Sequence, residues 1–206
     1  MIEAVNITKK FDNEIIISDF NIKIAKGELI ALTGESGKGK TTILNILGLL
    51  EKPDSGRIII DGLENPNRKD IMLAQRHKLG YLFQNYALIE NETVEENLKI
   101  ALGHQKRIDK KSKMKQALDF VNLNPNVLKK RIYKLSGGEQ QRVAIARLFL
   151  KESDYIFADE PTGNLDSHNR DLVFNLLIGL TKIGKGVVFV THDLELAKKA
   201  HKWLQL

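Results

Sequence analysis

Four short runs with few polar residues constrain this chain most. Glu28–Thr33, Leu79–Phe83, Tyr155–Ala158 and Val187–Val190 are of strand length, and the last has no polar member. A strand without polar alternation needs cover on both faces, as in a parallel sheet flanked by helices. Helical patterns lie between these runs, at about 39–50 and at Asp171–Leu180, so the sequence predicts an α/β fold. Further strands are expected at Ile2–Thr8, Ile15–Ile24 and Arg57–Ile60, the last set between Pro53-Asp54-Ser55-Gly56 and Asp61-Gly62 turns. From about Asn85 to Arg147 the texture changes to helix. Thr93 is expected to cap one helix with Glu95 and Glu96 in its first turn, and Ser112 a second that carries Met114, Ala117, Leu118 and Val121; a third runs from Val143 to Leu150.

The segment Gly34-Glu35-Ser36-Gly37-Lys38-Gly39-Lys40-Thr41 matches G-x-x-x-x-G-K-[ST] between a predicted strand and a predicted helix, the context this pattern requires. Its glycines let backbone N–H groups approach phosphate oxygens, and the following helix offers its positive N-terminal end. Lys40 is expected to reach the outer phosphates of a nucleotide, and the Thr41 hydroxyl to coordinate Mg²⁺, with Thr42 completing the helix start.

A phosphate loop alone leaves many nucleotide enzymes open. Leu135-Ser136-Gly137-Gly138-Glu139-Gln140-Gln141-Arg142 narrows the choice, because it resembles the signature motif of ABC ATPases and precedes a second acidic strand. Ser136 and two glycines opening a helix give a second anion site of the same physical kind. The resemblance then extends along the whole chain. Tyr155-Ile156-Phe157-Ala158-Asp159-Glu160 looks like a Walker B strand, with Asp159 expected in the Mg²⁺ shell and Glu160 polarising the attacking water. Gln84 matches the Q-loop glutamine, a contact to Mg²⁺ or water, and His192 the switch histidine at the γ-phosphate. Gly163-Asn164-Leu165-Asp166 looks like the D-loop, with Asp166 at a dimer seam, and Phe11 fits the aromatic that stacks on adenine. His77, His104, His168 and His201 read as ordinary surface or core residues.

The resemblance implies a nucleotide-binding site of Phe11, Gly34 to Thr42 (Lys38 included), Gln84, Ser136, Gly138 and Asp166, with Lys40, Glu160 and His192 catalytic and Thr41, Gln84 and Asp159 near the metal. It implies a RecA-like P-loop NTPase core, an N-terminal antiparallel β subdomain and an inserted helical subdomain at about 85–148, all within one domain over 1–206. Two copies would sandwich two Mg·ATP, each signature helix covering the other chain's nucleotide, at the cytoplasmic face of a membrane where a separate permease supplies the spans. Pro161-Thr162-Gly163-Asn164-Leu165-Asp166 and the compact length look like the group serving macrolide, peptide and bacteriocin export, lipoprotein release and cell-division signalling. A regulatory ATPase acting on a cell-wall enzyme through a membrane protein is an alternative, and a soluble nucleic-acid ATPase another. Lys38 departs from the family's usual small residue; it either adds positive potential near the phosphates or points to solvent.

Composition trims these choices. There are no cysteines, so neither disulfides nor thiolate chemistry enter. Met1-Ile2-Glu3-Ala4 lacks the features of a secretory signal, and no apolar run approaches the roughly 20 residues of a membrane span. Only 14 residues follow His192, enough for one closing strand at Trp203–Leu206 and too few for a regulatory domain. The net charge of +6 includes a cluster at Lys106, Arg107, Lys110, Lys111, Lys113 and Lys115, read as a solvated surface; without interleaved aromatics it does not suggest a nucleic-acid platform.

Overall fold

The computed structural model describes residues 1–12, 14–103, 109–163 and 165–206. Five parallel strands form its centre: β3 (Leu29–Thr33), β6 (Leu79–Leu82), β7 (Tyr155–Asp159), β8 (Gly186–Val190) and β9 (Lys202–Gln205), in the order β6-β7-β8-β3-β9. In β3, β7 and β8 the side chains alternate strictly between two cores. Ile30, Leu32, Tyr155, Phe157, Val188 and Val190 enter one core; Leu29, Ala31, Ile156, Ala158, Val187 and Phe189 enter the other. The absence of polar alternation in these strands follows directly, since neither face meets water.

The first core lies beneath a four-stranded antiparallel sheet, β2-β1-β4-β5, made of β1 (Ile2–Phe11), β2 (Glu14–Ile24), β4 (Ser55–Ile60) and β5 (Leu63–Glu64). Helix α1 (Lys40–Leu47) is packed into it through Ile43, Leu44, Ile46 and Leu47. The second core is covered by α6 (Ser167–Lys182) and by helices inserted between β6 and β7: α3 (Val94–Leu102), α4 (Lys110–Phe120) and α5 (Gly137–Leu150), with short 3-10 turns at Pro125–Lys129 and Ile132–Lys134. Two remaining helices, α2 (Arg68–His77) and α7 (Leu194–Lys198), lie near the sheet's edges in sequence. The predicted α/β architecture with an antiparallel layer and a helical insertion is therefore the one observed.

Local differences have local causes. Ser112 does not cap α4; Asp109 does, its carboxylate accepting from the N–H groups of Lys111 and Ser112 at 3.1 Å each, so the helix begins at Lys110 and Ser112 sits inside its first turn. Helix α2 had no apolar signature because only Ala74 of its ten residues is buried; a capping box between Asn67 and Asp70 starts it instead. Helix α6 begins earlier than the apolar stretch indicated, because Asp166 caps it and accepts from Asn169 N at 3.0 Å. Of the basic cluster, Lys110, Lys111, Lys113 and Lys115 are exposed as expected, whereas Lys106, Arg107 and His104 lie outside the described residues.

Gly56 is the tightest backbone junction between β1 and β4. Its φ is 91°, and an added Cβ would stand 2.4 Å from the Asn6 carbonyl oxygen, which is main chain and cannot swing away. Gly56→Ala is therefore expected to lower unfolding stability by about 2–4 kcal/mol in urea titrations, whereas Gly62→Ala, which meets nothing nearby, loses only about 1 kcal/mol from its positive φ.

Candidate nucleotide site

The carboxyl ends of β3, β6, β7 and β8 open onto one cleft of about 550 Å³, the edge at which open α/β sheets bind ligands. Its floor is the turn from β3 into α1. Gly39, at φ 76°, caps α1 with a backbone that an L side chain adopts at a cost, and a Cβ there would lie 2.8 Å from the Ile16 side chain. Alone among the seven α-helices of the described residues, α1 has no side-chain cap, and its first turn has no acidic residue. Its exposed N–H donors and positive end suit a phosphate. The Lys40 ammonium is buried in the loop and donates to the carbonyls of Gly34 at 2.9 Å and Glu35 at 2.7 Å.

Oxygen donors converge beside it. The Thr41 hydroxyl lies 3.2 and 3.1 Å from the two carboxylate oxygens of Asp159, so a helix start and a strand end present hard oxygens to one point. Such donors fit Mg²⁺, which is commonly held by one or two protein oxygens plus phosphate and water. Among the described residues no group of three or more His, Cys, Asp or Glu is placed to hold a metal ion.

Glu160 follows with a left-handed backbone, φ 45°, worth roughly 1–3 kcal/mol of strain for a residue other than glycine. That turn sets its carboxylate 3.1 Å from His192 Nε2, at the end of β8. Burial raises the pKa of Glu160 above the ordinary 4.5; the His192 charge opposes this and Asp159 adds to it. Burial also raises that of Asp159, against the Thr41 hydrogen bond and Lys40. Phe11 and Ile16 form the apolar end of the cleft. The Lys9 ammonium lies 5.5 Å from the Phe11 ring centroid, and Phe11 remains about half exposed.

The expected residues fall into three places. Phe11, Ser36, Gly37, Gly39, Lys40, Thr41, Thr42, Gln84, Asp159, Glu160 and His192 all line this cleft. Gly34, Glu35 and Lys38 border an adjoining hollow, which His192 also lines. Lys38 is exposed there, with no ion pair among the described residues. Ser136, Gly138 and Asp166 line neither. The start of α5 is closed by a capping box: Ser136 N donates to Glu139 Oε2 at 2.8 Å, and Glu139 N to Ser136 Oγ at 3.3 Å. These bonds hold the Glu139 carboxyl below its usual range. Asn164, between Gly163 and Asp166, lies outside the described residues.

Arg147 was not anticipated. From α5 it donates to Ala87 O at 2.6 Å and Tyr86 O at 2.9 Å, gripping the loop after Gln84, where Tyr86 (φ 61°) and Ala87 (φ 44°) are both left-handed. A charge inside the apolar run Val143–Leu150 was the signal available in the sequence.

A model of ABC transporters matches residues 17–163, most of the chain. The chain belongs to the ABC transporter family. It is the family's ATP-binding, ATP-hydrolysing cassette. The cassette is 38% identical to the lipoprotein-releasing system ATP-binding protein LolD of Aquifex aeolicus, over all of this chain and 93% of that protein. It is 35% identical to the macrolide export ATP-binding/permease protein MacB of a Shewanella species, over 93% of this chain but 30% of that longer protein. Among solved structures it superposes, with TM-score 0.88 and 34% identity, on a dimeric post-hydrolysis state of the ATP-binding cassette MJ0796 bound to ADP and Pi; the match covers 100% of this chain and 94% of that one. Among the cassette's described residues no helix is long and apolar enough to cross a membrane.

Arg147→Met removes both bonds that hold the Tyr86–Ala87 turn. The cassette is expected to keep its ATP affinity within about twofold in equilibrium binding, because Arg147 is outside the cleft, while steady-state hydrolysis falls about tenfold or more.

Proposed function

We propose that two copies of the cassette close head to tail on two Mg·ATP and that this closure drives a separate permease for export. The observation that carries the reading is the split described above. One set of expected residues shares a cleft, while Ser136, Gly138 and Asp166 lie outside it. A signature helix that cannot serve its own cleft can serve a second copy's, and a related cassette is dimeric with nucleotide bound. In each cleft the α1 N–H groups and Lys40 would hold the phosphates, with Lys40 exchanging loop carbonyls for phosphate oxygens. Thr41 and Asp159 would hold Mg²⁺, which screens phosphate charge when bound, and Gln84 would contact that shell. Phe11 would stack on the base. Glu160 would orient and deprotonate water, its raised proton affinity suiting that role at neutral pH. His192, with Nε2 already 3.1 Å from the Glu160 carboxylate, would turn toward the γ-phosphate.

The whole chain would form one ABC ATPase domain, with a helical subdomain at about 85–148. Between that part and the sheet runs a second hollow of about 540 Å³, bordered by Met72, Phe83, Ala87, Ile100 and Arg147. Met72, Phe83 and Ile100 are 48%, 39% and 53% exposed, unusual for side chains of this type gathered in one groove. A permease segment at the cytoplasmic membrane face is the occupant we propose, next to the Asn85–Glu96 stretch; relatives named as combined ATP-binding/permease proteins support a permease partner. Export is the transport class favoured by similarity to LolD and MacB, with lipoprotein release suggested by the LolD match.

Glu160→Gln is expected to retain ATP binding, to lose at least about 100-fold in hydrolysis, and to shift from monomer to dimer on adding Mg·ATP in analytical ultracentrifugation. A monomer at saturating ATP refutes the sandwich. Ile100→Glu should abolish co-purification of the integral-membrane partner while ATP affinity stays unchanged. The pH profile has a defined sign. Hydrolysis needs ionised Glu160, so kcat should fall as pH drops through a value above the ordinary 4.5; in the residual activity of His192→Ala that acid limb should move to higher pH, because the imidazole's lowering influence is gone.

A further inference from the structure

The first turn of α6 joins three segments that the proposed pairing uses. Asn169 Nδ2 donates to Asp166 Oδ2 at 2.7 Å, and Arg142 Nη1, from the signature helix α5, donates to Asn169 Oδ1 at 3.1 Å. A Cβ added to Gly138 would lie 3.1 Å from that same Asn169 oxygen, so the amide is the surface on which the first turn of α5 rests. The next residue reaches elsewhere. Arg170 Nη1 donates to Asp193 Oδ2 at 3.0 Å, and Asp193 adjoins His192 and caps α7.

The chemistry of residue 169 is narrowly set. Toward Asp166 a donor is required, and toward Arg142 an acceptor; a carboxamide supplies both from one planar group. Arg142 makes no ion pair within 4 Å among the described residues, though its charge acts on the Glu139 carboxylate, and its Nε is buried without a hydrogen bond, so Asn169 Oδ1 is the hydrogen-bond acceptor that fixes its guanidinium. Removing that acceptor leaves a half-buried charge unpaired.

We infer that Asn169 is a positioning residue that sets the spacing between the signature turn, Ser136 to Gly138, and the D-loop Asp166, and that Arg170 ties this unit to the His192 segment. Resting on the sandwich reading, this means that the surface a cassette offers to its partner's nucleotide is hydrogen-bonded, through one helical turn, to Asp193, the chain neighbour of the histidine that serves its own. The first turn of α6 thus carries coupling between the two sites. Asn169 touches neither nucleotide, so its loss acts on pairing and cooperativity while single-site binding stays intact.

Asn169→Leu removes donor and acceptor at nearly constant size, and Asn169→Asp keeps the acceptor but sets a like charge against Asp166. Both are compared in the Glu160→Gln background for Mg·ATP-driven dimerisation, and in the wild-type background for hydrolysis, with ATP affinity at protein concentrations too low for pairing as the control. Each variant is expected to weaken dimerisation about tenfold, to drop the Hill coefficient for ATP toward 1, and to leave single-site ATP affinity within about twofold. Arg170→Met is expected to lower the Hill coefficient with little change in dimerisation. If Asn169→Leu does not fold, Asn169→Asp decides. Dimerisation and cooperativity at Glu160→Gln and wild-type levels in the folded variants overturn this inference alone; failure of Glu160→Gln itself to pair overturns the sandwich and the inference with it.

Discussion

A parallel sheet covered on both faces leaves only its two ends for polar chemistry. That constraint organises this cassette. Every central strand alternates its side chains between two dry cores, so a charged residue within β3, β7 or β8 would be buried without water. Charge therefore collects where the strands stop: Asp159 at the last position of β7 and Glu160 just after it, His192 after β8, and the phosphate loop after β3. At that edge α1 begins with no cap of its own, while the other α-helices in the described residues supply a side chain for the purpose. The helix with an unfilled N-terminus is the one aimed at the cleft.

Around this edge the backbone gives up stability to aim side chains. Glu160 takes a left-handed turn immediately after its strand, and Tyr86 and Ala87 take two in succession. Such residues persist only where neighbours over-determine them. For Tyr86 and Ala87 the neighbour is Arg147, whose two hydrogen bonds go to their carbonyls. For Glu160 it is His192, just beyond the end of the adjacent strand, whose Nε2 lies 3.1 Å from the carboxylate. Helix α5 thus touches two different functions: its first turn presents the signature residues and its third holds the loop after Gln84.

Much of this was legible in the sequence, for identifiable reasons. The strands were readable because burial on both faces leaves a continuous apolar run, and the phosphate loop because its glycines and lysine have fixed spacing ahead of a helix. Helix α2 was not readable: only Ala74 of its ten residues is buried, with Ile71 partly buried beside it, so the core-facing stripe is too short to show a period, and the local Asn67–Asp70 box started it. The α4 cap was assigned to Ser112 when Asp109 was the better acceptor, a one-turn error that burial patterns alone do not correct. Arg147, Asn169 and Arg170 went unnoticed because each acts through a partner far away in the chain, at separations of 60, 27 and 23 residues.

The sequence by itself determined the α/β architecture and the residue types at the nucleotide edge. Both follow from short-range rules: apolar runs of strand length must be buried, and a glycine-rich turn before a helix exposes N–H donors whatever surrounds it. Tertiary structure alone decided which of those residues share a cleft and which face elsewhere. Gln84, Asp159 and His192 become neighbours of Lys40 only because the strand order β6-β7-β8-β3 brings their ends together. Ser136, Gly138 and Asp166 stay apart from them because helix packing, and not chain order, sets where α5 and α6 begin.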